Sequence, residues 1–221
     1  MATRYRLLDQ LDEDLKQRLL DGHREVQVPA NHQLIFQADW GDEIYILSSG
    51  ILKARCLSDQ GEEVVISLMG AGAIIGEMAL LAPKPIRSVD VVALTPASLL
   101  KLRQQVFKRA VEESPALSRA ITLLQAQRLT ALGNRLMLMH EDATTRLLAT
   151  LLELARLNGD EDEATNPIPA LSQQEIAVIA GLSRGTASTL INKFRMNGTL
   201  SQGTHGLQLT KLEPLQRRNL L

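Results

Sequence analysis

Leu8, Leu11, Leu15 and Leu19 recur at steps of three and four among acids and polar residues, which predicts an amphipathic helix near the start of the chain. From about Val26 to Leu102 the texture changes. Short β-rich runs at 33–36, 43–47, 51–56, 63–68, 89–94 and 98–102 alternate with turn signals roughly every ten residues. Gly41, Gly50, Gly61, Gly72 and Gly76 sit in those turns. The pattern predicts an all-β roll, barrel or sandwich. Gly50 and Gly61 are expected to bracket a hairpin-like pair of strands, with Asp59-Gln60-Gly61 as its turn.

After Pro115 the period becomes helical. Leu117, Ile121 and Leu124 form one heptad-like set, and Leu129, Leu132, Leu136 and Met139 form a second. They slip relative to each other across Gln125-Ala126-Gln127-Arg128. Together they predict one helix of more than 20 residues. Such a helix is either buried in a core or a dimer seam, and the second reading is preferred because neither neighbouring segment offers an obvious helical partner. His140-Glu141 reads as a hinge, and Asp142 as the N-cap of a second helix over 143–157. The stretch 158–169 holds four consecutive acids, Asp160 to Glu163, and two prolines, as expected of a surface loop.

The segment from Leu171 to Leu200, LSQQEIAVIAGLSRGTASTLINKFRMNGTL, carries the strongest local pattern. Ser172 and Glu175 form a capping box that opens a short helix through Ala180, with Ile176, Ile179 and Ala180 turned to a core. Gly181 supplies a tight turn, Leu182 a core plug and Ser183 a second N-cap. The next helix turns Ala187, Leu190, Ile191 and Phe194 inward. This is a helix-turn-helix unit. Its second helix presents Arg184, Gly185, Thr186, Ser188 and Thr189 toward base edges in a major groove, while Ser172, Ser183, Lys193 and Arg195 suit phosphates. Residues 200–202 and 207–209, around a Gly203-Thr204-His205-Gly206 turn, predict a small β-hairpin wing.

Composition narrows the class. With 45% hydrophobic and 22% charged residues in 221, the chain is an ordinary globular protein, large enough for one big domain or two modest ones. Its formal net charge of −1 is uninformative, but Leu171 to Leu221 holds six basic residues against two acids. A solvated face explains that imbalance as well as nucleic acid does, so it supports the helix-turn-helix reading without making it. One cysteine, Cys56, excludes an internal disulfide and any all-cysteine metal or iron–sulfur site, and fits a reducing cytoplasm. No apolar run reaches the roughly 18 residues of a membrane span, and the first residues do not read as a signal peptide. No paired carboxylates, nucleophile–base arrangement or metal cluster stands at informative spacing, so an enzyme is not expected.

One cassette in the β region stands out: Gly76-Glu77-Met78-Ala79-Leu80-Leu81-Ala82-Pro83-Lys84-Pro85-Ile86-Arg87-Ser88. A carboxylate accepts hydrogen bonds from ribose hydroxyls, a guanidinium and a hydroxyl hold phosphate, and backbone N–H groups around Gly76 to Met78 add donors.

From Gln33 to Leu209 the chain resembles the cyclic-AMP receptor protein/fumarate-nitrate regulator superfamily. The likeness rests on GDEIYILSSG, IIGEMALLAPKPIRS, the long helix with its LGN, DATTRLLATLLELA and LSQQEIAVIAGLSRGTASTLINKF. It implies an α+β architecture: a cyclic-nucleotide-binding β-roll over 1–113, a dimerisation helix and hinge over 114–140, and a winged helix-turn-helix over 141–221. It also implies a homodimer on a palindromic DNA operator, DNA bending and contact with RNA polymerase. By that likeness Glu77 holds the ribose 2′-hydroxyl and Arg87 the cyclic phosphate, with Gly76, Met78 and Ser88 assisting. Two departures follow. The adjacent Thr-Ser that meets adenine in cyclic-AMP-binding members has no counterpart near Ala131-Leu132 or Arg128-Leu129, and Thr130 is the one hydroxyl close by. Arg128 and Gln125 would suit guanine edges, which keeps cyclic di-GMP beside cyclic AMP as the effector. In the recognition helix, Arg184-Gly185…Thr189 stands where familiar members have Arg-Glu…Arg, so a different half-site is expected. A regulator of the same fold that works without effector, its β-roll structural or docking another protein, is the alternative.

Overall fold

The computed structural model describes residues 6–159, 167–203 and 206–221. The acidic run Asp160 to Glu163 and the Thr204-His205 centre of the expected wing turn lie outside them. The chain divides into two compact units, the first made of Met1–Cys56 and Ile66–Leu132, the second of Leu57–Val65 and Gly133–Leu221.

The first unit opens with a 3-10 turn, Leu7–Gln10, and helix α1, Glu13–Leu20, whose N-cap Asp12 accepts from the Leu15 N–H. Two four-stranded sheets follow. One has the order β1-β8-β3-β6, from Arg24–Val28 (β1), Ile44–Ser49 (β3), Ile74–Ile75 (β6) and Ala97–Leu102 (β8). The other has the order β2-β7-β4-β5, from Gln33–Ile35 (β2), Leu52–Leu57 (β4), Glu63–Met69 (β5) and Asp90–Ala93 (β7). Val28, Tyr45, Leu47 and Leu99 of the first sheet meet Ile35, Leu52, Val91 and Ala93 of the second in one core, as a roll of two packed sheets requires.

The outer face of the first sheet is covered as well. Ile44 and Ile46, which alternate with Tyr45 and Leu47 along β3, pack with Leu15 and Leu19 of α1 and with Phe107 and Ala110 of α3, Gln104–Glu113. Leu117, Ile121 and Leu124 of the 24-residue helix α4, Pro115–Leu138, complete that layer. The first heptad-like set is therefore intrachain core rather than dimer seam, because the sheet's outer face and α1 provide the partner that the sequence did not reveal. Burying three such side chains contributes about 1.5–3 kcal/mol each. The second set is divided: Leu132 is half-buried, while Leu129 and Leu136 are 71% and 61% exposed.

The Asp59-Gln60-Gly61 turn forms where expected, closed by the Gly61 N–H on the Ser58 carbonyl at 2.8 Å, but the hairpin it closes is β4 with β5, on either side of the turn, rather than a pair lying between Gly50 and Gly61. Gly50 instead marks the crossing from one sheet to the other, between β3 and β4. Its φ is +92°, and a Cβ there would lie 2.5 Å from the Pro96 carbonyl oxygen.

In the second unit, α5, Ala143–Asn158, begins at N-cap Asp142, which accepts from the Thr144 and Thr145 N–H groups at 2.8 and 3.1 Å. Helices α6, Gln173–Ile179, and α7, Arg184–Met196, follow, then β9, Leu200–Gly203, and β10, Gly206–Leu209, and a last turn α8, Glu213–Gln216. Ile176 and Ile179 of α6, and Ala187, Ile191 and Phe194 of α7, are buried beneath the fully buried Leu147, Leu148 and Leu151 face of α5. Leu182 and Leu190 are only half-buried, so the expected plug and inward leucine sit at the core's margin.

Candidate functional site: a nucleotide cassette and a DNA-reading helix

The cassette begins with Gly76 in the left-handed region, φ +93°, which lets β6 turn directly into the five-residue helix α2, Glu77–Leu81. A Cβ at Gly76 would fall 2.3 Å from the Glu43 carbonyl oxygen, so the backbone passes closer than any side chain permits. Glu77 is 1% exposed and Arg87 6% exposed. Arg87 donates through Nη1 to the Gly76 carbonyl at 3.0 Å and through Nη2 to the Glu43 carbonyl at 2.8 Å, drawing both ends of the cassette and the start of β3 together. Gly41 leaves room for that guanidinium, since a Cβ there would sit 1.7 Å from Arg87 Nε.

Glu77 Oε1 accepts from Gln125 Nε2 of α4 at 2.8 Å and pairs with Arg128, which also donates to the Ile74 carbonyl. The four side chains singled out in sequence as cassette and base-contacting groups thus meet as Glu77 with Gln125 and Arg128, and Arg87 beside the same backbone. The other expected residues are not drawn in. Met78 and Ser88 are exposed, and Thr130, also exposed, donates its hydroxyl to the Ala126 carbonyl one turn back at 3.0 Å.

Glu43 adds charge at the edge of this cluster. Its carboxylate accepts from the Tyr45 hydroxyl at 2.7 Å and pairs with Lys101. Burial alone would raise its pKa, but the bonds from Lys101 and Tyr45, with Arg87 nearby, hold it below the ordinary carboxylate value. Burial and the same bond push the Tyr45 hydroxyl upward, so it remains a donor. In the sequence Glu43 is only the first residue of a β-rich run. Its role comes from Lys101, on the neighbouring strand 58 residues later.

In the second unit, the Ser172 hydroxyl accepts from the Glu175 N–H at 3.0 Å, and the Ser183 hydroxyl from the Thr186 N–H at 3.1 Å. The two expected caps are therefore made. Thr186 is exposed, with its hydroxyl 2.8 Å from that of Ser183. Arg184, Gly185, Thr189, Lys193 and Arg195 are exposed on α7, and Ser188 is half-buried. Two arginines that the sequence analysis did not assign hold the turn between α6 and α7. Arg135 donates to the Ile179 carbonyl at 2.6 Å and Arg146 to the Gly181 carbonyl at 3.0 Å, satisfying oxygens that a helix end leaves open. Met139 packs where a Cβ of Gly181 would be. An arginine in the last turn of one helix and another in the first turn of the next are the sequence signals for such a clamp.

Cys56 is half-buried, its thiol raised by burial and by Asp90. Among the described residues no group of three His, Cys, Asp or Glu side chains is placed to hold a metal ion, and no helix is long and apolar enough to cross a membrane.

Two family models match the chain: the cyclic nucleotide-binding domain over residues 25–114 and the Crp-like helix-turn-helix domain over residues 145–218. Among curated proteins, the CRP-like cAMP-activated global transcriptional regulator of Mycobacterium tuberculosis is 27% identical over 195 residues, 87% of either chain. The structure of the c-di-GMP-responsive global regulator CLP of Xanthomonas campestris superposes with a TM-score of 0.72 at 23% identity, over 90% of this chain and 100% of that one. FixK2 of Bradyrhizobium japonicum gives 0.74 at 17% identity, over 88% and 96%. Those two structures speak for the fold. With both domain types present in this order, the chain belongs to the cyclic-AMP receptor protein/fumarate-nitrate regulator superfamily of DNA-binding transcription regulators, which are not enzymes.

Proposed function

We propose that the protein is a homodimeric regulator whose affinity for a palindromic operator is set by a cyclic nucleotide held in the β-roll. The observation that carries this reading is the burial of Glu77 and Arg87 in one cassette, with Gln125 and Arg128 of α4 converging on Glu77. In this reading the Glu77 carboxylate accepts from a ribose hydroxyl, and Arg87 faces the cyclic phosphate with help from the Ser88 hydroxyl and the backbone at Gly76 and Met78. Gln125 and Arg128 supply donors to a purine edge. An arginine pairs well with guanine O6 and N7. The relative in Mycobacterium is named for cyclic AMP and the neighbour in Xanthomonas for cyclic di-GMP, so both are candidate effectors. Thr130 contributes at most an acceptor, because its hydroxyl proton is committed to the helix.

A ligand that takes over bonds to Glu77 changes what holds α4, and gating follows if the two positions of α4 differ in DNA affinity. The dimer reading is supported by a stripe of exposed positions on α4: Leu123, Ala126, Thr130, Gly133 and Met137, spaced three, four, three and four. A dimer carries two recognition helices, and paired helix-turn-helix units generally read half-sites about one DNA turn, roughly 34 Å, apart. Contact with RNA polymerase and a cytoplasmic location belong to the same reading.

A second reading has its own observation. Arg87 and Glu77 both have partners within the protein, so the cassette is also a self-sufficient brace for an effector-independent regulator. Calorimetric titration with cyclic AMP, cyclic GMP and cyclic di-GMP, repeated on Arg87→Leu, separates the two. Micromolar or tighter binding of one nucleotide, lost in the variant, is the expected result. No heat with any of them makes the cassette structural.

A further inference from the structure

Gly181 and Gly185 lie four residues apart, and the protein needs only one of them for folding. Gly181 has φ +63°, and a Cβ there would come 2.7 Å from Met139 Cε. Gly185, in the first turn of α7, has an ordinary helical backbone, and a Cβ would meet nothing nearer than Ser183 Oγ at 4.0 Å. Glycine inside a helix is less favourable than alanine. Neither conformation nor packing therefore accounts for Gly185, which is exposed. What remains is the approach of something from outside.

The rest of that face says how it approaches. Gly185, Thr189, Asn192 and Met196 follow one another at steps of four, three and four, opposite the buried Ala187, Ile191 and Phe194. Their side chains lengthen along the helix, from none to a hydroxyl, an amide and a thioether that is 90% exposed. A helix shaped in this way meets a groove floor with its N-terminal turn closest. Asn192 borders an open depression with Thr189, Lys193, Met196 and Asn197. Its amide has no hydrogen-bond partner among the described residues. A carboxamide offers one donor and one acceptor side by side, the complement of adenine N6 and N7 in the major groove.

We propose that Gly185 sets the depth at which α7 enters the major groove, and that Asn192 reads an A·T pair beyond the reach of Arg184. The proposal rests on the helix-turn-helix assignment and is independent of the effector. Half-site preference is then written by a missing side chain at one end of the helix and an amide at the other.

The test begins with selection of duplexes from a randomised pool by the full-length protein, with and without each cyclic nucleotide, at one salt concentration. Gly185→Ala should melt no lower than the parent yet bind the selected duplex at least about tenfold more weakly, because a methyl now stands at the closest approach. Asn192→Ala should keep its affinity for random duplex and lose the preference at one A·T pair in each half-site. Unchanged affinity in Gly185→Ala overturns the depth assignment, and an unchanged consensus in Asn192→Ala overturns the reading assignment. Failure of the parent to select any duplex under any condition would instead remove the DNA-binding reading on which both stand.

Discussion

Replacing Gly41 with alanine should unseat Arg87 without altering Arg87 itself. The new Cβ would fall 1.7 Å from Nε and 2.3 Å from Cζ, far inside contact distance, so the guanidinium must move. It has little freedom to do so. Arg87 is 6% exposed, and its two hydrogen bonds, at 3.0 and 2.8 Å, end on backbone carbonyls that cannot follow. Hydrogen bonds from a charged donor contribute about 1.5–3 kcal/mol each. If water recovers part of that as the side chain swings outward, the net loss is roughly 2–4 kcal/mol. Urea unfolding followed by far-ultraviolet circular dichroism is the assay, because Trp40, the sole tryptophan, is 75% exposed in the folded protein and would report little. A double-mutant cycle with Arg87→Ala makes the argument specific, since the alanine at 41 has nothing to displace when the guanidinium is gone. A loss under about 0.5 kcal/mol, within the range of ordinary surface substitutions, would refute the reasoning. So would a loss of the same size in the Arg87→Ala background.

Two further outcomes follow from the second unit. The Asp142 carboxyl is held below its ordinary value, chiefly by the Thr145 hydroxyl at 2.6 Å and also by the Thr144 and Thr145 N–H groups and Arg218. Its contribution is therefore complete above the unfolded value of about 3.9 and is lost as pH falls through the lower folded value. Asp142→Asn keeps an acceptor for the N–H groups but not the charge, so it should remove that acid dependence from the unfolding of this unit by losing, at neutral pH, the part that the ionised carboxylate supplies. Asp142→Ala should lose the cap as well, about 1 kcal/mol or more at neutral pH. Gly181→Ala imposes a left-handed conformation on alanine, a cost of about 1–2 kcal/mol. Faster amide exchange in α6 and α7 would show it, and unchanged protection would contradict the strain argument.

What was legible in the sequence followed local rules. The Ser172, Ser183 and Asp142 caps were found because capping is written within three residues. The strands of the roll were found from their β-rich runs between glycines, although Ile44, Tyr45, Ile46 and Leu47 are all buried and so show no alternation. What escaped was nonlocal. Strand β1 has only Val26 and Val28 apolar among its five residues, an alternation too short to stand out from the polar positions around it. Heptad spacing in Leu117, Ile121 and Leu124 identified an apolar face but not its cover. The Glu77–Arg128 pair spans 51 residues, and the need for glycine at 41 arises only once the distant Arg87 is folded against it.

The strand order of the first sheet has a consequence for how the chain is made. Strand β8 is the last of its four strands in sequence, yet it lies between β1 and β3, pairing Arg24 with Lys101 on one side and Ile46 with Leu100 on the other. During synthesis β3 can pair with β6 once Ile74–Ile75 has emerged, but β1 has no strand beside it. Val28 and the other edge of β3 wait for a partner until Ala97–Leu102 arrives. Closing a loop of roughly 70 residues then completes the sheet in a single late step. A nascent chain stalled before Ala97 would carry two bare strand edges, the kind that pair with other chains. Shielding of everything ahead of Ala97 during translation is thus a demand made by one strand's position.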